Sequence, residues 1–229
     1  MSAFRVVELR VGRPRPFGPQ GQVSAIDKAP VPTPLHAGPE GLEGDEQGDR
    51  RHHGGPDKAV HAYAIQNYPL WIREHPECAA AFRPGGFGEN LVVDGVVEAD
   101  ICLGDVWRLG GCDLEVSQAR QPCWKLNLRF GLPGMARRVQ ESGRTGWYFR
   151  VATPGEIRAG DTARLLARPH PEWSLERVGR LLYRDTLDRD ALAAFAALPR
   201  LPERWRRLAE NRLASGRVED WRLRIDTPR

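Results

Sequence analysis

Lysine is scarce in this chain. Only Lys28, Lys58 and Lys125 carry an ammonium group, and every other cationic side chain among the 34 lysines and arginines is an arginine. A genome-wide base composition can produce such a bias. Lys58 and Lys125 nevertheless fall inside the two segments that hold the most unusual polar residues, which raises the question whether a compact ammonium group is needed there.

Long hydrophobic runs are also missing. The chain has no stretch of about 18 uncharged apolar residues and no apolar N-terminal stretch of signal-peptide length. We therefore expect a cytoplasmic protein that does not enter a membrane. The formal net charge of +4 is spread over interleaved acidic and basic residues, so an ordinary solvated surface is favoured over a nucleic-acid partner.

The four cysteines lack the spacing of a structural metal site or a disulfide framework. Cys78, Cys102, Cys112 and Cys123 contain no C-x-x-C pair, and a reducing cytoplasm would keep their thiols free. Cys102 lies between two aliphatic residues and is expected to be buried and inert, as are Cys78 and Cys112.

The first 170 residues contain short apolar runs separated by Gly, Pro and Asp, a pattern typical of β-strands. In the first run, Val7, Leu9 and Val11 alternate with polar residues. Many short strands favour a closed or nearly closed sheet, and two helical insertions are expected at 69–82 and 124–141. The predicted strands are 7–11, 60–64, 91–93, 106–109, 114–117, 147–152 and 162–167.

Helical periodicity begins after residue 170. Ser174 can cap a first helix, Asp188 or Asp190 can open a second, and a third begins at Pro202 and stops near Gly216. We therefore predict a mainly β fold with some α-helix. A barrel domain would span 1–170, and a small three-helix domain over 171–229 would pack on the barrel or on a partner.

A polar, glycine-rich segment at 51–61 has the composition of an anion-binding loop. Gly54 and Gly55 let backbone N–H groups approach an anion, while His53 and Lys58 add hydrogen bonds or charge, which suits a phosphate. A simple glycine turn with solvated histidines explains this segment equally well by itself. His53 and His61 as zinc ligands would need a third matched ligand.

A Gly-Glu-Asn turn at 88–90 leads into an apolar strand, and taken alone it suggests only that Glu89 and Asn90 satisfy backbone groups. The segment 117–127 is more informative, because Cys123 follows a strand end and precedes a possible helix start. Arg120, Lys125 and free backbone N–H groups would favour the thiolate. Such a thiolate can be a nucleophile, a redox sensor or a soft metal ligand, whereas the alternative is a buried, inert cysteine.

Together, in this order and spacing, these segments resemble the MOSC family, and within it the bacterial branch with a three-helix C-terminal extension. The resemblance spans nearly the whole chain. One such segment would be weak evidence, but five in register are specific. The matching segments are 41–45, 53–60, 87–91, 104–105 and 117–127.

This resemblance implies a β-barrel that binds a pterin-based molybdenum cofactor, Mo-molybdopterin, with Cys123 ligating the metal. The terminal phosphate of the pterin would sit in the loop from His53 to Lys58. Members of this branch look like reductases of N-hydroxylated purines and pyrimidines, a detoxifying activity that takes electrons from a separate flavoprotein reductase.

The expected site contains Cys123 and two groups of polar residues. The proton-donor candidates, chosen by pKa range and motif position, are His53, His61 and Glu89. The residues expected to bind the cofactor are His53, Gly54, Gly55, Lys58, Asn90, Gln118, Arg120, Lys125 and Asn127.

No flavin, nicotinamide or iron–sulfur motif is evident, so turnover would need an external electron donor. An arginine-rich face on the third helix could dock an acidic reductase, although a solvated helix face explains it as well. Its members are Arg204, Arg206, Arg207 and Arg212. Residues 12–34 match no functional motif and are interpreted as loop. The oligomeric state stays open, with a homodimer among the options.

Two other functions remain open at this stage. Cys123 could carry a persulfide and transfer sulfur, which labile sulfur on Cys123 would reveal. The chain could instead be a basic nucleic-acid-binding module, but its positive charge is scattered and its unusual residues cluster around the thiol. Strongly salt-dependent binding to nucleic acid would favour that second alternative.

Overall fold

A computed structural model describes residues 3–18, 20–48 and 54–228 of the chain, so the predicted site residue His53 lies outside the described residues. Within these ranges the strands are β1 (Ala3–Val11), β2 (Arg15–Pro16), β3 (Val23–Ser24), β4 (Ala29–Val31), β5 (Leu35–Gly38), β6 (Gly41–Leu42), β7 (Val60–Ala64), β8 (Leu91–Asp94), β9 (Val106–Leu109), β10 (Cys112–Ala119), β11 (Trp147–Thr153), β12 (Gly155–Ile157) and β13 (Thr162–Ala167). The helices are α1 (Asn67–Glu74), α2 (Lys125–Phe130), α3 (Met135–Ser142), α4 (Leu175–Tyr183), α5 (Arg189–Ala196), α6 (Glu203–Ser215) and α7 (Arg222–Ile225).

Seven strands close into a barrel in the order β13-β9-β10-β11-β7-β8-β1, and β1 pairs back with β13. All neighbouring pairs are antiparallel except β7 with β8, which run parallel. Closure removes the exposed strand edges, and β4 is added outside the ring against β1. The prediction of a mainly β barrel with helical insertions and a C-terminal three-helix domain is confirmed.

The predicted alternation in β1 is wrong at one position. Phe4, Val6 and Leu9 are buried, whereas Val7 is exposed. The pairing with β8 shifts register between Val6 and Glu8. This bulge inserts one residue, which moves the buried face from even to odd positions along the strand.

The two helical insertions are both interrupted. In the first, α1 ends at Glu74 and a 3-10 helix follows over Pro76–Ala81, since proline has no N–H to continue an α-helix. Trp71 is buried, but Ile72 is 39% exposed. The second insertion divides into α2 and α3 at the predicted glycines, with positive φ at Gly131 and Gly134.

The three C-terminal helices begin close to their predicted caps. The Ser174 hydroxyl accepts a hydrogen bond from the Arg177 N–H at 3.2 Å, and the Asp188 carboxylate accepts one from the Ala191 N–H at 3.0 Å. Pro202 occupies the cap of α6, one residue before its predicted place, and α6 ends at Gly216. The short α7 was not predicted. No helix in the described ranges is long and apolar enough to cross a membrane.

The barrel and the helical domain share one hydrophobic core. Trp107 and Phe149 from the barrel belong to the same buried cluster as Trp173, Phe195 and Trp205 from the C-terminal part. The two parts are also joined by backbone hydrogen bonds near residues 101–103 and 173–175, at 3.0 and 2.8 Å. The helical domain therefore packs on the barrel of its own chain.

Candidate functional site

Two adjoining cavities meet at Cys123. The smaller has a volume of about 80 Å³ and the larger of about 570 Å³, which is within the range of ligand-binding pockets. Cys123 is 9% exposed and lines both. The residues common to both walls are Gly48, Lys58, Cys123, Lys125 and Tyr148. A ligand seated across this junction would touch the thiol from either side.

The smaller cavity is rich in cationic side chains. All three lysines of the chain, Lys28, Lys58 and Lys125, line it together with Arg120. Lys125 Nζ donates to the Val23 carbonyl at 3.0 Å. Arg120 is buried, and its Nη1 has no hydrogen-bond partner in the described part of the chain. Because burying an unpaired cationic donor is costly, this cavity suits an anionic ligand.

Lys28 reaches this cavity from the segment 12–34, for which only a loop was predicted. Its ammonium group forms a buried ion pair with Asp45, which also accepts a hydrogen bond from the Gly12 N–H at 2.7 Å. Burial lowers the pKa of Lys28, and Asp45 opposes that shift. Residues 22–26 and Lys28 line the two cavities. The loop assignment therefore missed wall residues of the site.

His61 projects from β7 into the wall of the smaller cavity. Its Nε2 has no hydrogen-bond partner among the described residues. Burial, reinforced by the charge of Arg120, lowers the pKa of His61 well below its usual value, so the ring is neutral. Gly146 has φ +71, and a Cβ there would lie 2.8 Å from this Nε2. A glycine is thus required where the chain passes the imidazole.

Tyr148 stands beside His61 and lines both cavities. The two ring centroids are 4.9 Å apart. Burial raises the pKa of Tyr148, while the charge of Arg120 and a hydrogen bond with it act in the opposite direction. Its phenol therefore keeps its proton at neutral pH. Sequence reasoning missed this residue because nothing in the local pattern of β11 distinguishes it from other strand positions.

The thiol loop connects β10 to α2. Turn-like hydrogen bonds begin at Cys123, whose carbonyl accepts from the Leu126 N–H at 3.0 Å. Gln118, at the end of β10, donates from Nε2 to the Asp57 carbonyl at 3.2 Å and lines the larger cavity. The predicted set Cys123, Gln118, Arg120 and Lys125 is therefore brought together by the structure.

The glycine-rich loop is tied to the same strand. Gly55 has φ +91 and precedes a 3-10 helix over Pro56–Lys58. Lys58 lines both cavities, whereas Gly54 and Gly55 are not among their wall residues. The Ser117 hydroxyl also donates to the Asp57 carbonyl, at 2.5 Å. Only the lysine of this predicted phosphate loop reaches the cavities within the described residues.

Three predicted site residues have their polar atoms engaged elsewhere. The Glu89 carboxylate accepts from the Tyr68 hydroxyl and from the backbone at 85 and 87, and it lines neither cavity. Asn90 lines the smaller cavity, but its amide binds the His61 N–H and the Arg10 carbonyl, each at 3.1 Å. These geometries favour structural roles in place of the predicted proton donation by Glu89.

Asn127 is the third such residue. Its Nδ2 donates to the Ile225 carbonyl at 3.0 Å and to the Thr227 hydroxyl at 3.2 Å, and its Oδ1 accepts from the Ala136 N–H at 2.8 Å. It lines neither cavity. Asn127 was expected to contact the cofactor, but its side chain instead links α2 to α3 and to the C-terminal segment.

The other three thiols lie outside both cavity walls. Cys102 and Cys112 are buried as predicted, and burial raises the pKa of Cys112 to about 12. Cys78 is only partly buried, so the expectation of full burial was wrong for this residue. Burial is the main cause that raises the pKa of Cys78 as well.

The predicted arginine face of the third helix is not a continuous surface. Arg212 is 2% exposed and bound to backbone carbonyls, and Arg206 donates to the carbonyls of Ala196 and Leu198. Arg204 is exposed and lines the larger cavity. A docking surface made of all four arginines is therefore excluded, because two of them hold the helical domain together.

Comparison with protein families matches residues 49–164 to the MOSC domain and residues 173–216 to the YiiM-like 3-alpha helix domain. The chain is 35% identical over 219 residues to Protein YiiM of Escherichia coli, covering 96% of this chain and 97% of that protein. It is 37% identical over 212 residues to a protein named Reductase of Gibberella moniliformis, covering 92% of this chain but only 37% of that protein.

Solved structures agree with these matches. The crystal structure of YiiM from Escherichia coli superposes with a TM-score of 0.84 at 30% identity, covering 99% of this chain and 100% of the other. That of YiiM from Geobacillus stearothermophilus has a TM-score of 0.78 at 31% identity, covering 92% and 99%. MOSC domains in general bind molybdopterin cofactors. Since both the barrel and the helical extension match along nearly the full length, this chain belongs to the MOSC family, in the group that carries a YiiM-like three-helix domain.

Proposed function

We propose that this protein is a molybdenum-cofactor-dependent reductase of N-hydroxylated purine and pyrimidine bases. It would convert a hydroxylamino group to an amine and water with two electrons and two protons, and a separate flavoprotein would supply the electrons. The observation that carries the proposal is the Cys123 thiol, which lies where a cationic cavity meets a larger one. The MOSC match, which covers this part of the chain, supports it.

The residues present fit Mo-molybdopterin, a polar anion that carries a soft metal. A cysteine thiolate is a suitable soft ligand for molybdenum, so Cys123 would hold the metal. Arg120, whose Nη1 has no partner among the described residues, would bind an anionic group of the cofactor, and Lys58 and Lys125 would add positive charge. When bound, the cofactor supplies the two-electron redox chemistry, and the protein supplies binding and orientation.

Two side chains on the cavity walls can donate hydrogen bonds to a bound substrate. Of the predicted donors in the described ranges, His61 lines a cavity and Glu89 does not. A neutral His61 still carries one ring proton, and the protonated phenol of Tyr148 is its neighbour at 4.9 Å between ring centroids. These two groups would donate hydrogen bonds to the hydroxylamino group, and the two protons that the reaction consumes would come from solvent.

The test is the molybdenum and pterin content of the protein and of its Cys123→Ser variant, both purified from cells able to make the cofactor. We expect near-stoichiometric molybdenum in the native protein and a strong loss in the variant. The free energy of unfolding should change by less than about 1 kcal/mol, because the substitution is small. Reduction of a hydroxylamino base, with a chemical or flavoprotein electron donor, should disappear with the metal.

Cys78→Ser is the matched control, since this thiol lies outside the cavity walls, and it should keep native metal content and activity. A Cys123→Ser variant that reduces the substrate at the native rate would contradict the proposal. Protein that holds neither molybdenum nor pterin after gentle purification, but carries labile sulfur on Cys123, would favour sulfur transfer instead.

A further inference from the structure

The segment that follows the third helix, residues 217–228, folds back onto the barrel. Trp221 packs edge-on against Tyr183 of α4 at 5.7 Å between ring centroids. Ile225 is 1% exposed and belongs to the buried cluster formed with α2 and α3. Glu219 accepts hydrogen bonds from Arg212. The segment is therefore packed as part of the fold, with Ile225 as its buried residue.

This segment holds the thiol loop on both sides of Cys123. The Arg224 guanidinium donates through Nη1 to the Pro122 carbonyl, the residue before the thiol. The Trp124 N–H, the residue after it, donates to the Arg224 carbonyl at 2.8 Å. The other terminal nitrogen of Arg224, Nη2, donates to Gln140 Oε1 of α3. This second hydrogen bond fixes the direction of the guanidinium plane.

We propose that Arg224 is a positioning residue, which fixes the Cys123 thiol at the junction of the two cavities and makes the C-terminal segment part of the site. The metal-binding role of that thiol rests on the proposed function, but the positioning concerns the loop alone. Arg224 meets its two acceptors with two different terminal nitrogens of one planar group, so we expect a lysine, whose three donors share one nitrogen, not to replace the arginine. A purely electrostatic role would instead be retained by lysine.

The experiment follows alkylation of Cys123 by iodoacetamide in the full-length protein purified from cells that cannot make the cofactor. The rate is measured against pH by mass spectrometry of the peptide that contains Cys123. The variants are Arg224→Gln and Arg224→Lys. Arg222→Gln is the matched control, because Arg222 lies on the same helix, is exposed, and pairs with Asp220 instead of the thiol loop.

We expect both Arg224 variants to raise the limiting alkylation rate at high pH by about tenfold, since losing these hydrogen bonds lets the loop open. Arg222→Gln should stay within about twofold of the native rate. The proposal would be overturned if Arg224→Lys has the native alkylation rate, or if the Arg224 variants react no faster than Arg222→Gln. A different outcome would also overturn the proposal. If Arg224→Gln shifts the pH midpoint of alkylation without changing the limiting rate, and Arg224→Lys restores the native midpoint, then the role of Arg224 is electrostatic.

Cys112, which is fully buried in the barrel, reports on folding in the same samples. If Cys112 reacts in the Arg224 variants, those variants are unfolded and the milder variant Gln140→Leu tests the proposal. This substitution removes only the acceptor of one guanidinium nitrogen of Arg224. Gln140→Leu should then raise the Cys123 rate by a smaller factor with Cys112 still protected, and an unchanged rate would overturn the proposal. Native protein that holds no molybdenum when purified from cells able to make the cofactor would refute the proposed function. A released Cys123 thiol in the Arg224 variants would still leave the positioning role intact.

Discussion

His61 combines full burial with a position on a cavity wall. Burial lowers the pKa of His61, and the positive charges of Arg120 and Lys28 lower it further. A charged imidazole there would meet two other cations with little water to screen them. The imidazole is therefore neutral in the folded protein, and its acid form is accessible mainly in the unfolded chain.

This asymmetry predicts the pH dependence of stability. Below about pH 6.5 the unfolded chain binds a proton at His61 and the folded protein does not, so the free energy of unfolding falls as the pH drops. One such group contributes a slope of at most about 1.4 kcal/mol per pH unit. Urea unfolding at pH 7 and pH 5.5 should show a smaller acid loss for His61→Gln than for the native protein.

His36→Gln is the control for that measurement, because His36 is exposed on β5 and its replacement should leave the acid loss unchanged. If His61→Gln loses as much stability between the two pH values as the native protein does, the imidazole is already protonated in the fold and the inferred environment is wrong.

At the scale of elements, α6 is joined to α4 by one buried arginine. Arg212 donates to the carbonyls of Leu181 and Leu182, in the last turn of α4, and to the Thr186 carbonyl just beyond it. It also pairs with Glu219 at 2.7 Å. The last carbonyls of a helix lack partners within the helix, so this side chain caps α4 from a neighbouring element.

We predict that Arg212→Met lowers the free energy of unfolding by about 2–4 kcal/mol, because it leaves these carbonyls and a carboxylate without their partner. Arg204→Met, on the exposed face of the same helix, should stay within about 0.5 kcal/mol of the native protein. Denaturant unfolding followed by circular dichroism measures both. Equal effects of the two substitutions would show that Arg212 carries no special share of the packing.

The whole molecule has a continuous interior across the predicted domain boundary at residue 170. Trp173 packs at 5.2 Å between ring centroids against Phe195, and both belong to the core cluster of the barrel. An ion pair also joins the helical domain to the barrel, because Arg200 pairs with Glu115 of β10 at 2.8 Å. Three short helices bury too little surface to be stable alone, so their stability comes from this contact.

We therefore expect a single cooperative unfolding transition for the full chain in calorimetry, with equal calorimetric and van't Hoff enthalpies. The isolated fragment 171–229 should show little helix by far-UV circular dichroism at room temperature. Two well-separated transitions, or a fragment as helical as in the intact protein, would indicate that the barrel and the helical domain fold independently.

Most of the barrel strands and the caps of the C-terminal helices could be predicted because their signals are local. The strands at 60–64, 106–109 and 162–167 have the predicted limits, since apolar runs between turn residues depend only on neighbouring positions. The strands of two to four residues in the Pro- and Gly-rich part were missed, because they are too short to show a period. The bulge in β1 was missed because it is set by pairing with β8.

The sequence by itself determined the family motifs, the thiol at Cys123 and the small number of lysines. All three lysines line one cavity in the structure. Only the tertiary structure decided which polar residues face that cavity. Asn127 and Glu89 have the same chemistry as true wall residues, but each is engaged by a group that is near only after folding, the Ile225 carbonyl for Asn127 and the Tyr68 hydroxyl for Glu89. Likewise, residue 224 reaches residue 123 because a buried Ile225 anchors the chain end. Contacts between distant positions leave no periodic trace in a single sequence, since they depend on how the elements pack.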